Sequence, residues 1–562
     1  MMKLALIALP YGEGPQKIMP LGLQNIAAYL KARSDGVWVR IFDYSEFHGA
    51  ETDQLGELFE WQPEMVGFSI YSSHVEVAKA WALEVSKRLP GALLFCGGPH
   101  ISLAAESFLA YSEMLFKVAL IGEGEYSTNE LVKCFNTYCG SEGGESFSQA
   151  EKMKGFCKVG FADIPNAVWK NCAGEYIHTK LFCNQLPPKE WENPLLDYSS
   201  TNLQHLKYTD RRDGVTRSAI ALTSSRGCPL TCSFCAIVAA DKNGPKWRAV
   251  SAKTLLRWLR EAHEIYDFTH VYMMDANFFV RRERVLEFSE GLHRDFQGRV
   301  TWSSSSTVGY LLKIRDCLPV LVEQGLRLVE LGIESGSQAQ LNYMNKKVTV
   351  EQNVEAIRLL QENNLTVGLD FIMFYHDQAR QEVIENLLFI HRAGLTDHES
   401  FDHYFNIMML YPGTPVRKNL ESRLGEELSL EFLPLSRDFI GNQDVRSIYV
   451  RFIDGFAKTY LESLERAISK SIKETKKSES LYGRAYYSLL NVYLRHLPFK
   501  VLWSLAHNAR SGEGSLMPRG YPELIRLSSG DQFSEDVGDE SSIGKVTLGA
   551  GGRYGEVILK VC

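Results

Sequence analysis

Short apolar runs alternate strictly with helical stretches along residues 3 to about 130 of this chain, and again from about 217 to 411. Strand-like and helix-like segments in strict alternation build βαβ units, whose parallel strands form one sheet with helices on both faces. In the first stretch KLALIALP, VWVRIFDYS, MVGFSIYS, ALLFCGG and FKVALIG read as strands. PLGLQNIAAYLKARS, QLGELFEWQ and VEVAKAWALEVSKRLP are the helices between them, and STNELVKCF follows the last. The pattern predicts a doubly wound, Rossmann-like α/β domain over residues 1–140, with ligands held beyond the carboxyl ends of its strands. In the second stretch SAIALTSS, THVYMMDA, VTWSSSS, LRLVELGIE, TVGLDFIMF and HYFNIMMLY are strands, with helices near 251–266, 282–295, 309–324, 350–363 and 380–394. Six strands and five helices predict a partial (β/α)6 barrel of the TIM type over residues 211–435, open on one side.

Residues 141–210 break the pattern. SEGGESFSQAE is a polar loop, and VWKNCAGEYIHTKLF reads as a hairpin turning at Ala173-Gly174, so this stretch is a linker with a small β element. Residues 436–562 are mostly helical, and KVTLGAGGRYGEVILKV reads as a terminal hairpin. Composition narrows the function classes. With 61 Lys+Arg against 68 Asp+Glu, the net charge of −7 argues against a protein that tracks nucleic-acid phosphates. No apolar run reaches the roughly 18 residues of a membrane span. The start, MMKLALIALPYGEGP, imitates a signal peptide, but no small-residue cleavage site follows and it reads equally as a buried strand. Eleven cysteines without framework spacing point to a reducing, cytoplasmic setting with free or metal-bound thiols. Of these, Cys96 and Cys317 sit in apolar stretches and read as small buried hydrophobes.

The strongest signal is Cys228-Pro229-Leu230-Thr231-Cys232-Ser233-Phe234-Cys235, directly after the strand SAIALTSS. A loop at the end of a barrel strand can turn three thiols toward one face of a cuboidal cluster. Thiolates select iron–sulfur clusters, zinc or copper(I), and zinc calls for a fourth ligand that does not stand nearby at finger spacing. This spacing, with an aromatic just before the last cysteine, resembles the motif of the radical S-adenosylmethionine (SAM) enzymes. The resemblance implies that Cys228, Cys232 and Cys235 ligate a [4Fe-4S] cluster with one iron open to SAM, and that Phe234 lies beside it.

Other segments extend the resemblance. Met274-Asp275-Ala276-Asn277 stands where many members hold the SAM amino group, which implies Asp275 and Asn277 as contacts. By residue type alone, Asp275 suits an ammonium and equally a strand-end cap. Gly332-Ile333-Glu334-Ser335-Gly336 resembles the segment that contacts ribose and carboxylate, implying Glu334 and Ser335. Ser303 and Ser305 of the third strand are expected at the same barrel mouth. Thr307-Val308-Gly309 stands where many relatives carry an Arg. Tyr411-Pro412-Gly413-Thr414-Pro415 is a frequent family segment and equally a plain turn. The usual Gly-x-Pro-Gly-Glu after the fifth strand is replaced by Phe371-Ile372-Met373-Phe374-Tyr375-His376-Asp377. This places Tyr375, His376 and Asp377 as candidates to meet substrate, or as an ordinary loop with a polar tip.

In the N-terminal domain, Phe95-Cys96-Gly97-Gly98-Pro99-His100 and Ile121-Gly122-Glu123-Gly124-Glu125 follow successive strands. Paired glycines there let backbone approach a large flat ligand. With Pro20-Leu21-Gly22-Leu23 and Gly67-Phe68-Ser69-Ile70-Tyr71-Ser72-Ser73, their order resembles the cobalamin-binding domain fused to one large subgroup of radical SAM enzymes. The resemblance covers roughly residues 3–420. It implies Ser69, Ser72, Gly97, Gly98, Pro99, His100, Gly122, Glu123, Gly124 and Glu125 as the cobalamin site. Asp43-Tyr44-Ser45-Glu46-Phe47-His48-Gly49 does not fit the Asp-x-His-x-x-Gly of domains that ligate cobalt from below, so His48 reads as a loop residue. His74 and His100 remain as residues that face the corrin, with His100 read rather as orienting its loop by a hydrogen bond.

The combined resemblance implies a cobalamin-dependent radical SAM methylase. In that class SAM is cleaved at the open iron, the 5′-deoxyadenosyl radical takes a substrate hydrogen, and methylcobalamin, recharged by a second SAM, delivers the methyl group. The acceptor is an unactivated carbon, less often phosphorus, of a small molecule or peptide. The same architecture also serves ring contraction, cyclisation or oxidation. A cobalamin or redox sensor without turnover is a third reading, disfavoured because a sensor has no need of Asp275 and Glu334. Expected partners are the substrate and a reductant such as flavodoxin or ferredoxin, with no nucleic acid and no membrane span.

Overall fold

A computed structural model describes residues 1–10, 19–45, 52–141, 151, 155–157, 161–179, 186–196, 206–210, 212–240, 246–396, 398, 402–428, 436–478, 481–507, 543–550 and 553–560. His48, most of the 141–151 loop, Cys183 and Cys562 lie outside them. The chain forms two compact units, one of residues 1–371 and 408–438, the other of residues 372–407 and 439–562.

The first unit begins with the doubly wound sheet that the alternation predicts. Its strands are β1 (Met2–Ala8), β2 (Val37–Asp43), β3 (Met65–Ser69), β4 (Leu93–Gly97), β5 (Val118–Leu120), β6 (Ala167–Lys170) and β7 (Tyr176–His178), in the order β2-β1-β3-β4-β5-β6-β7. Strands β1 to β5 are parallel. In β1, Ala5 and Ile7 enter one core with Phe68 and Trp81, while Leu4 and Leu6 enter the other with Leu23, Leu30 and Leu131. A strand covered on both faces is apolar throughout, which is why KLALIALP shows no polar alternation. The strand order reverses between β1 and β3, and a crevice opens at such a switch point beyond the carboxyl ends. The expected linker hairpin is present as β6 and β7, and it extends this same sheet through antiparallel β5–β6 pairing.

The second sheet begins with β8 (Lys207–Thr209) antiparallel to β9 (Thr216–Leu222). A small antiparallel hairpin of β10 (Ser225–Gly227) and β11 (Trp247–Ala249) flanks the cysteine loop. Then β12 (His270–Met273), β13 (Thr301–Thr307), β14 (Leu326–Glu334) and β15 (Thr366–Phe371) continue parallel to β9. The order β15-β14-β13-β12-β9-β8 makes a six-stranded half-barrel. Helices Ala252–His263 and Arg282–Asp295 fall at the expected places, the one helix expected at 309–324 is broken into Val308–Lys313 and Leu318–Glu323, and Val350–Glu362 falls as expected. Ser251 caps the first of these through Thr254 N–H, and Thr349 with Gln352 forms a capping box on the last.

One expected strand is absent. The run 403–411 forms no ladder; its Ile407 makes an isolated parallel bridge to Phe374. The Met373 and Phe374 amides both donate to the Asn406 carbonyl, at 3.1 and 3.2 Å, and Met409 makes a further single-residue bridge. The sixth strand of the half-barrel is instead the antiparallel edge strand β8. The second unit holds helices Arg380–Arg392, Gln443–Val450, Lys458–Lys477, Leu481–Arg495 and Leu497–His507, with a π-helical turn at Arg451–Ala457. Strands β16 (Ile543–Ala550) and β17 (Arg553–Lys560) form the terminal hairpin. Among the described residues, no helix is long and apolar enough to cross a membrane.

Candidate functional site

Beyond the carboxyl ends of β3, β4 and β5 the first unit contains a cavity of about 710 Å³. Ser69, Gly97, Gly98, Pro99, Gly122, Glu123, Gly124 and Glu125 line it, together with Leu21, Gly22 and Ile26 of the first helix. Thr223, Arg226, Gly227, Ala236, Ile237 and Met274, which surround the cysteine loop, line its other side. The volume lies within the usual range for ligand sites. The two glycines of the β4 loop differ in what they allow. A Cβ on Gly98 would stand 2.7 Å from Ile70 N and 2.8 Å from Ile70 O, and its φ of +104° excludes ordinary residues. Gly98 is therefore required by the packing of its own loop on the end of β3, not only by a ligand. A Cβ on Gly122 would meet nothing within 4 Å, so open space is found at that loop.

Two residues expected at this site lie behind it. His100 is buried, and its Nδ1 is 3.0 Å from Ser72 Oγ, the loop-orienting hydrogen bond expected of it. Burial, with the charge of Arg417 adding to it, lowers the His100 pKa to about 4. His74 is also buried, its pKa lowered to about 4 by burial. Among the described residues that line the cavity, none is a histidine.

The cysteine loop is docked on the segment that follows β14. Ser233 N–H donates to the Met344 carbonyl at 2.9 Å and its hydroxyl to the Tyr343 carbonyl at 2.9 Å. Asn345 Nδ2 donates to the Thr231 carbonyl at 2.7 Å. Cys232 is buried while Cys228, Phe234 and Cys235 are half-buried. Burial pushes the Cys232 thiol up to about 11, against the pull of Lys346 and with the charges of Glu334, Cys235 and Cys228 adding to it. Among the described residues, no group of three or more His, Cys, Asp or Glu converges closely enough to hold a metal ion as it stands. Three thiol donors on one loop are the donor chemistry that a polynuclear iron–sulfur cluster takes.

Lys346 has no counterpart in the motif reading. It is buried, and its Nζ donates to Glu334 Oε1 at 2.6 Å. Glu334 itself sits at φ +64°, an uncommon conformation for a side chain of this size. In sequence Lys346 is one of two adjacent lysines after a short helix, a pattern that ordinarily marks solvent. Glu330 and Asp370 stand on the neighbouring strands, with Ser305 Oγ donating to Glu330 Oε2 at 3.1 Å. Desolvation within the barrel mouth, with the charges of Glu330 and Glu334 adding to it, raises the Asp370 carboxyl, although its side chain still reaches solvent.

Several of the expected contacts hold hydrogen bonds within the protein. Asp275 is 1% exposed and accepts from Ser224 N–H at 3.2 Å and from the Ser224 and Ser225 hydroxyls. It straps the turn between β9 and β10, while burial raises its carboxyl pKa against the pull of Arg284. Asn277 is buried and donates to Thr307 Oγ1 at 3.3 Å. Ser303 bonds to His270 Nε2 at 2.9 Å, and that ring stacks on Tyr208. Ser335 donates to Gln340 Oε1 at 2.8 Å. In the second unit Tyr375 is buried and donates to Glu382 Oε1 at 2.8 Å. His376 is buried too, its carbonyl accepting from Gly441 N–H and its Nε2 lying 3.5 Å from Asp377 Oδ2. Neither of these two side chains, expected to meet substrate, is exposed.

Comparison with known proteins follows the same division. Residues 12–132 match the B12 binding domain and residues 222–390 the radical SAM superfamily. The chain is 23% identical to an uncharacterized methyltransferase, PH0819, of Pyrococcus horikoshii, over 74% of this chain and 82% of that protein. It is 26% identical to the hopanoid C-3 methylase of Methylococcus capsulatus, over 66% and 64%. It is 25% identical to the anaerobic magnesium-protoporphyrin IX monomethyl ester cyclase of Cereibacter sphaeroides, over 61% and 53%. The fold is similar to that of the cobalamin-dependent SAM radical enzyme OxsB, solved with aqua-cobalamin and SAM, with a TM-score of 0.67, 17% identity and coverage of 92% of this chain and 74% of that one.

Proposed function

We propose that this chain, a radical SAM superfamily enzyme that carries a B12-binding domain, transfers a methyl group from SAM by way of cobalamin to an unactivated carbon, or less readily phosphorus, of a small molecule or peptide. Its cofactors are a [4Fe-4S] cluster, SAM and cobalamin. The observation that carries the reading is the single cavity bordered on one side by Gly97, Gly122 and their loops and on the other by the residues flanking the cysteine loop. Methyl transfer is favoured over other radical outcomes by the methyltransferase and methylase among the similar proteins.

Cys228, Cys232 and Cys235 hold the cluster, with Phe234 at its side. Bound together, the three cofactors supply hydrogen abstraction from substrate and a transferable methyl group. Gly122 and the bare face of Gly97 admit the corrin between the β4 and β5 loops. Lys346, clamped by Glu334 beside Cys232, is the buried cation best placed to meet the SAM carboxylate, where the usual Arg after β13 is missing. The walls from Leu21, Ile26 and Ile237 exclude water from the reacting groups.

The test is anaerobic turnover with SAM labelled in its methyl group, an electron donor such as ferredoxin or flavodoxin, and fractionated metabolite extract. Methyl transfer yields S-adenosylhomocysteine and 5′-deoxyadenosine together, and a product carrying the label. 5′-Deoxyadenosine without S-adenosylhomocysteine would overturn methylation. It would favour the second reading, a cyclisation or oxidation without methyl transfer, which the similarity to the cyclase supports.

A further inference from the structure

The loop Gly122-Glu123-Gly124-Glu125 and the hairpin β10/β11 are joined by an ion cluster. Arg226 Nη1 donates to Glu123 Oε2 at 3.0 Å and its Nη2 to Glu125 Oε1 at 2.5 Å. Arg248 donates to Glu123 as well, and to the Leu186 carbonyl at 2.8 Å. Both guanidiniums lie over the ring of buried Trp191, at 4.2 and 5.6 Å from its centroid. The Arg248 side chain is 7% exposed and that of Glu125 6%.

The register makes this arrangement informative. Arg226 and Arg248 are directly opposed partners on β10 and β11. Like charges in that relation repel and weaken a strand pair. The hairpin therefore depends on the two carboxylates that the N-terminal loop inserts, and on the ring that both cations share. Glu123, Glu125 and Arg226 also line the cavity, and Arg226 is two residues before Cys228. One short run of chain thus connects the cavity wall to the cysteine loop, and two carboxylates hold it.

We propose that Arg226, fixed by Glu123 and Glu125, is a positioning residue that couples occupancy of the cobalamin cavity to assembly of the cluster on Cys228, Cys232 and Cys235. A cluster that orders the cysteine loop holds β10 in place, and Arg226 then holds Glu123 and Glu125 at the cavity rim. Cobalamin therefore binds more tightly to the cluster-loaded chain, and by linkage the cluster is retained better by the cobalamin-loaded chain. This inference rests on the cavity being the cobalamin site.

The experiment measures hydroxocobalamin affinity by equilibrium dialysis under anaerobic conditions, on full-length protein with and without its reconstituted cluster. Wild type is expected to bind at least roughly five-fold more tightly when the cluster is present. In Arg226→Met the two affinities coincide, whereas damage to the cavity alone would weaken both and leave their ratio intact. Glu125→Gln, a neutral isostere that keeps the Glu123 pair, lowers the ratio and serves if Arg226→Met does not fold. Cys232→Ala, which cannot load the cluster, binds like clusterless wild type. A ratio of one in wild type, or an undiminished ratio in whichever variant folds, overturns the coupling while leaving the cavity assignment standing. Failure of wild type to take up hydroxocobalamin in either state overturns the cavity assignment and the coupling with it.

Discussion

Replacing Gly98 by alanine separates a glycine that serves the fold from one that serves a ligand. Gly98 adopts φ +104°, ψ −179°, a region open essentially to glycine alone, and forcing another residue there costs about 1–3 kcal/mol. The added Cβ would lie 2.7 and 2.8 Å from the backbone N and O of Ile70. Those atoms are not free to retreat: Ile70 N–H donates to the Gly97 carbonyl at 2.9 Å, and the Ile70 carbonyl accepts from His100 N–H at 3.1 Å. Overpacking of this kind adds about 1–3 kcal/mol, for an expected loss of about 2–6 kcal/mol. Urea unfolding of the cobalamin-free protein, followed by circular dichroism, reads this directly. The control is Gly22→Ala, whose Cβ meets nothing within 4 Å; it is expected to gain about 0.5–1 kcal/mol from helix propensity. If Gly98→Ala unfolds within about 1 kcal/mol of wild type and yet loses cobalamin, the packing argument is wrong and Gly98 is there for the corrin.

Gly22→Trp places an indole at the cavity mouth without a backbone penalty, so hydroxocobalamin affinity should fall at least roughly tenfold, about 1.4 kcal/mol, with the unfolding midpoint not lowered. Lys346→Met leaves the buried Glu334 carboxylate unpaired and should cost about 3–5 kcal/mol of stability; adding Glu334→Gln should recover part of it, and strictly additive losses would refute the pair. Because desolvation in the barrel mouth and the charges of Glu330 and Glu334 raise the pKa of the solvent-reached Asp370 from 3.8 to about 7, the folded state binds this proton more tightly than the unfolded chain. Stability should therefore fall as pH rises from about 4 to about 7, and Asp370→Asn should flatten that slope; a wild-type profile already flat over that range would refute it. Electron paramagnetic resonance of the cobalt(II) form should show no splitting from a histidine nitrogen, and splitting lost in His74→Ala or His100→Ala would contradict the cavity described above.

Elements were legible in the chain wherever burial writes a local period. The doubly apolar KLALIALP announced a strand, the helices at 252–263 and 350–362 announced themselves by spacing, and three cysteines on a strand-end loop announced a thiolate site. Roles that depend on which residue arrives from elsewhere were not legible. Asp275 reads the same whether it meets an ammonium or the Ser224 and Ser225 hydroxyls, and only the turn between β9 and β10 decides for the serines. Tyr375 and His376 read as an exposed tip until packing encloses them. A run of β-formers at 403–411 makes only single-residue bridges, at Ile407 and Met409.

Amino-acid order by itself determined the two alternating βα stretches, the three thiols and the glycines at the strand ends, since each is stated within a few neighbouring positions. Tertiary structure alone decided that Gly98 is bare because Ile70 is behind it, that Lys346 is a buried cation, and that Glu123 answers Arg226 from 103 residues away. The physical reason is range. Periodicity and turn chemistry are properties of a short segment, whereas the partner that neutralises a buried charge or blocks a Cβ is brought there by the closing of the sheets, and no local pattern carries its identity.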